Sequence, residues 1–195
     1  EGKLDAHEFL FHFYKQKYRL TKDNEHRLEA IRVGRELSAL GRKTIQKELY
    51  ALLLSLNEDE AKAALLEGVK AKDPKSLDLA QVQSIMGCHF DFLGNAYDAP
   101  ELRDFDVAFK LNKISSTVSS FNREIEASAF YLLGKGTPQN FEKAISIHAD
   151  EKTQDEPFVT SLEATILASV NFLTLVEIGN NCEVIRSFIR GESSE

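Results

Sequence analysis

Glycine and proline are scarce in this chain, ten and four in 195 residues. So few turn residues argue against a many-turned β fold. Cysteine is scarcer. Cys88 and Cys182 make no disulfide framework and no CxxC pair, which excludes a cysteine-stapled scaffold. Two lone thiols suit a reducing, cytoplasmic setting, with a single bridge between them left open. Long apolar runs are missing too. The longest stretch without a charge is 164–176, 13 residues between Glu163 and Glu177, whereas a membrane span needs about 20. The chain opens on Glu1, Gly2 and Lys3 and soon reaches Asp5, with no signal-peptide pattern. Its lack of a first Met is read as processing or trimming.

Motifs of chemistry are equally thin. His7-Glu8 and His12 give H-E-x-x-x-H, one residue longer than the zinc-protease spacing. Five residues turn a helix by about 500°, so the two imidazoles diverge. Cys88-His89 are adjacent and point about 100° apart on a helix. Asp98, Glu101, Asp104 and Asp106 crowd one stretch without the calcium-loop pattern. They suit the first turns of a helix, where its dipole favours acids. No G-x-S-x-G is present. Gly34 stands at the wrong distance from Gly41-Arg42-Lys43-Thr44 for a phosphate loop, and Gly134-Lys135-Gly136 follows a helical pattern rather than a strand. No metal and no cofactor are expected.

What is present is helical periodicity and strong punctuation. Apolar residues recur at three and four nearly everywhere, and all four prolines stand where helices begin. The expected fold is therefore all-α, a bundle of about seven to nine helices. One helical domain over 1–190 would carry a loose tail, 191–195. Phe9, Phe13 and Leu20 mark one face of a first helix near 5–19, with Leu10, Tyr14 and Tyr18 beside them. Leu28, Ile31, Val33, Leu37 and Leu40 mark the second. Asn57, with Glu60 three residues on, resembles a capping box. Leu79, Val82, Met86, Phe90 and Leu93 continue the same spacing. A long helix from about 101 to 133 shows a slip in spacing at Leu111-Asn112. The helix over 157–178 is apolar nearly all round. It is therefore expected at the centre, with Leu162, Ile166, Val170 and Leu173 in the core. Val184, Ile185, Phe188 and Ile189 suggest a last short helix.

Charge is uneven. The whole chain carries −7, yet residues 15–47 hold ten basic against four acidic side chains, a local +6 that leaves −13 elsewhere. Overall acidity disfavours nucleic acid as a partner. The local excess points to an interaction face. Within it Arg32, Arg35, Arg42 and Lys43 are the candidate contacts, with Arg32, Arg35 and Arg42 on one stripe if the helix passes Gly41 unbroken. The expected function is a non-enzymatic helical protein-interaction or regulatory module that binds an acidic partner surface. The alternative is a small-molecule sensor or carrier with a pocket inside the bundle. Polar residues in apolar company, Asn122 and Asn171, are its candidate ligand contacts, because buried polar groups need partners.

Overall fold

The computed structural model describes residues 2–118, 124–149, 157–180 and 182. Among these residues the fold is all-α, with nine α-helices, two 3-10 turns and one two-stranded hairpin. None of these helices is long and apolar enough to cross a membrane. Two compact units result: residues 1–76 with 90–95, and residues 77–89 with 96–195.

The first unit begins with α1 (Gly2–Thr21) and α2 (Asn24–Ala39). Asp23 caps α2, its Oδ1 accepting from the Glu25 amide at 2.9 Å. That bond satisfies one of the helix's orphan donors. The helix stops before Gly41, whose φ of +89° is open to glycine at no steric cost. A 3-10 turn (Lys43–Ile45) then leads into α3 (Gln46–Leu53). Half of the expected capping box forms: Asn57 Oδ1 accepts from the Glu60 amide at 3.1 Å and opens α4 (Glu58–Lys70), while the Asn57 amide donates to the Leu53 carbonyl instead of to Glu60.

The core of this unit is Phe11, Tyr18, Ile31, Val33, Leu37, Leu49, Tyr50, Leu52, Leu53 and Leu65. Two expectations fail here. Phe9, Phe13 and Leu20 are exposed on α1, which buries Phe11 in their place and keeps only Tyr18 of the expected face fully inside. Leu28 and Leu40 are likewise exposed. Gly34 explains the choice on α2: Phe11 packs so closely that an added Cβ would stand 3.0 Å from its ring.

Arg27 belongs to the basic window 15–47 but is buried. Its Nε donates to the Leu52 carbonyl at 2.7 Å, and Nη2 donates to Ser55 Oγ at 2.7 Å. The cation thus sits on the negative end of α3 and keeps its hydrogen bonds.

Helix α5 (Pro74–Met86) ends where the periodicity does not. Gly87, at φ +70°, turns the chain into strand β1 (Cys88–Phe90), which pairs with β2 (Ala96–Asp98). Phe90 and Leu93 therefore do not extend the helix. Asp91 organises the hairpin loop by accepting from the Leu93 and Asn95 amides at 2.9 and 2.8 Å.

The second unit continues with a 3-10 turn (Pro100–Leu102), α6 (Phe105–Ser115), α7 (Glu124–Leu133), α8 (Phe141–Ala149) and α9 (Pro157–Ile178). The span 101–133 is not one rod: α6 stops at Ser115. Its core joins Ile85, Phe109, Phe130, Tyr131 and Phe172, with Ala108, Ala129, Ala144 and Ala168 between the rings. Phe130 meets Phe172 edge to face at 4.9 Å, a geometry that adds to area burial, and Phe109 in a tilted contact at 5.4 Å.

Helix α9 forms over the expected residues but faces the other way. Leu162, Ile166, Val170 and Leu173 are exposed, and Ser161, Thr165, Ala168, Ser169 and Phe172 are buried. Small residues allow α9 to lie close to α7 and α8, which it packs against. Their hydroxyls cost little to bury, since Thr165 donates to the Ser161 carbonyl and Ser169 to the Thr165 carbonyl, each at 2.8 Å. The end of α9 is pinned within the same unit. Cys182 is bonded to Cys88, with Cα atoms 6.0 Å apart. A Cβ at Gly179 would stand 2.2 Å from the Met86 carbonyl oxygen, so only glycine fits this approach. Arg103 donates to Asn180 Oδ1 at 2.8 Å and to the Met86 carbonyl at 2.7 Å.

Candidate functional site

The four candidate cations all meet carboxylates of the same unit. Arg32 lies between Glu29 and Glu36 of its own helix, at 2.9 and 2.8 Å. Arg35 reaches from α2 to Glu60 on α4 with two bonds of 2.6 Å. Arg42 pairs with Glu8 of α1, and Lys43 Nζ stands 3.1 Å from Glu67. Lys15 adds a weaker contact with Glu48 at 3.9 Å. The positive excess of 15–47 is therefore partly offset by acids outside that window: Glu8, Glu48, Glu60 and Glu67. Their distance in sequence hid them from a local charge count. The Arg42 guanidinium, hydrogen-bonded to Glu8, holds that carboxyl below the ordinary carboxylate range.

Arg35 and Lys43 do converge. They line a groove of about 320 Å³ with Ser38, Gln46, Glu60 and Glu67. Its apolar floor includes Leu49 and Leu53. Gln46 is buried; its Nε2 donates to Ser38 Oγ at 2.7 Å and to Glu67 Oε2 at 3.2 Å. The carboxylate fixes which way the amide points, since only the NH₂ end can donate to it. Gln46 Oε1 is left buried without a hydrogen-bond partner among the described residues. Arg32 and Arg42 do not line this groove.

Asn171 is on α9 and exposed, so burial does not require a ligand for it. Asn122 lies outside the described residues, as do Val184, Ile185, Phe188, Ile189 and the tail 191–195. A second cavity of about 270 Å³ is lined by Phe109, Asn112, Lys113 and Tyr131 among others.

One pair resembles part of a nucleophilic site. Ser128 Oγ and His148 Nε2 are 3.0 Å apart. Both side chains are buried and, among the described residues, His148 Nδ1 has no hydrogen-bond partner. A triad needs a group on that nitrogen to orient the ring, and a nucleophile needs access to substrate. The pair has neither and is a core contact of α7 with α8. Among the described residues no three His, Cys, Asp or Glu side chains cluster to hold a metal ion.

The feature that sequence reasoning misplaced is the outer face of α9. Leu162, Ile166, Leu167, Val170 and Leu173 are exposed there, between 36% and 60%. On a helical wheel, Leu162, Leu173, Ile166 and Val170 fall within about 80°, with Leu167 about 60° further on. Glu163 and Glu177 lie on the same exposed face, and α9 contains no Lys, Arg or His. Its apolar stripe was visible in the sequence, but its direction was not. No family model matches the chain, and comparison with curated proteins and with solved structures finds no significant relative.

Proposed function

We propose that this chain is a non-enzymatic helical module that acts by binding a partner protein. The observation that carries the reading is the exposed face of α9, where five large apolar side chains stand on one helix. A contiguous exposed apolar surface is a common mark of an interaction site. An acidic partner at Arg32, Arg35, Arg42 and Lys43 finds less support, since it would have to displace Glu29, Glu36, Glu60, Glu8 and Glu67 from hydrogen bonds already made. The Cys88–Cys182 bridge favours an oxidising compartment over the cytoplasm for this module.

The test is affinity capture from native extract with wild type and an Ile166→Asp, Val170→Asp variant, followed by titration of each recovered protein with both purified chains. A partner whose affinity drops at least tenfold in the folded variant supports the reading. Equal affinity for every recovered partner removes it.

The groove beside Gln46 supports the small-molecule alternative. A metabolite screen by thermal shift decides it, since a ligand that binds only the native state raises the melting temperature.

A further inference from the structure

The apolar face of α9 carries its own charge pattern, and that pattern restricts its occupant. Glu163 and Glu177 are both exposed and stand at opposite ends of the stripe, 14 residues or about 21 Å apart at the helical rise. Between them the helix is uncharged. No cation on α9 offsets the two carboxylates, and neither has a basic partner in any ion pair among the described residues.

A second copy of the chain is a poor occupant. An antiparallel pairing of two α9 helices about Val170 sets Glu163 of each against Glu177 of the other. A parallel pairing sets each glutamate beside its own copy. Either way, a symmetric interface repeats the contact and sets two carboxylates against each other at each end of the stripe, and like charges facing one another disfavour the complex. The net charge of −7 adds to the repulsion.

Resting on the proposed interaction reading, we infer that α9 receives a basic amphipathic helix of another protein. Its apolar side chains, three and four residues apart over about three turns, cover Leu162, Ile166, Val170 and Leu173. Its Lys or Arg residues flank that stripe and meet Glu163 and Glu177. Helix-on-helix docking through anchors at this spacing is a common recognition mode. The charges at the rim set orientation and partner choice, and the buried stripe holds the complex together.

The test uses the full chain and two synthetic 20-residue peptides at physiological salt. Both carry the same leucine stripe; one has lysines at its two ends and the other glutamates. Fluorescence anisotropy is expected to show the lysine peptide binding at least tenfold tighter. Glu163→Lys with Glu177→Lys is expected to reverse that order. Ile166→Asp with Val170→Asp is expected to weaken the lysine peptide at least tenfold, with circular dichroism confirming that each variant folds.

If the aspartate variant binds the lysine peptide as wild type does, α9 is not the docking face and the interaction reading falls with the inference. If that variant loses binding but wild type takes both peptides equally, the face stands and the basic partner is overturned. A dimer in sedimentation that Ile166→Asp dissociates makes a second copy the occupant. Lysine-peptide binding seen only after removal of residues 183–195 makes the chain's own end the occupant. Each of these last two results also overturns the inference.

Discussion

Arg35 and Glu60 meet side by side, guanidinium to carboxylate, through two hydrogen bonds of 2.6 Å that tie α2 to α4. The pair is 25 residues apart in sequence and largely open to solvent. Bidentate geometry favours it over a single contact, but exposed pairs contribute little, roughly 0.2–1 kcal/mol. Arg35→Glu should lower stability in urea by about that much or somewhat more, since it sets two carboxylates face to face. Adding Glu60→Arg should recover most of the loss. No recovery in the double variant would mean that the pair contributes nothing.

Two residues on α9 should respond in opposite ways to truncation. Phe172 is buried against Phe130 and Phe105, so Phe172→Ala should cost about 3–5 kcal/mol. Ile166 is half in water, and Ile166→Ala should stay within about 0.5 kcal/mol, as surface changes usually do. Urea unfolding of both variants checks this. A large loss at Ile166 would place that side chain in a core.

Punctuation was therefore easier to read than orientation. Asn57 and Asp23 mark their helix starts because capping chemistry is local: a side chain bonds an amide two or three residues on. Pro157 marks its own because its fixed φ suits the first helical position. Which stripe of a helix faces inward depends on neighbours distant in sequence. On α1 the packing of Phe11 over Gly34 outweighs the Phe9–Phe13–Leu20 stripe. On α9 the inner face is mostly serine, threonine and alanine around Phe172, and the burial of Thr165 and Ser169 is permitted by hydroxyl bonds to carbonyls four residues back. Hydrophobic spacing carries no sign of those bonds. The candidate cations show the same limit, because Glu8 and Glu67 become neighbours of Arg42 and Lys43 only through the fold.

The Cys88–Cys182 bridge closes a long loop, with 94 residues separating its ends. Such a link restricts the unfolded chain, and losing it from a native protein typically costs about 2–5 kcal/mol. Cys88→Ser with Cys182→Ser should fall in that range by urea unfolding. Protein purified without reductant should show no reactive thiol after denaturation, and non-reducing peptide mapping should recover the two segments joined. Two titratable thiols would remove the bridge.

Acid should weaken the first unit in two steps, for reasons that differ between two residues of α1. The His12 ring lies 5.7 Å from the Phe11 ring. Partial loss of water, reinforced by the like charge of Lys15, lowers its pKa below the ordinary histidine value; Glu48 and Glu8 oppose that shift. In the unfolded chain His12 titrates near its ordinary value of about 6.5. As pH falls through that point the unfolded state takes up the proton first, so stability declines until the folded state is protonated as well. Glu8 acts at lower pH with the same sign. Its hydrogen bond to Arg42 depresses the folded pKa, so the stability it contributes is present above the ordinary carboxylate value and lost as pH falls through the folded one. Urea midpoints from pH 7.5 to 3.5 should therefore fall in two windows. His12→Gln should flatten the upper one, near pH 7 to 5.5, and leave the lower intact. Arg42→Gln should flatten the lower one and leave the upper intact. An unchanged upper slope in His12→Gln would show that His12 does not carry that step.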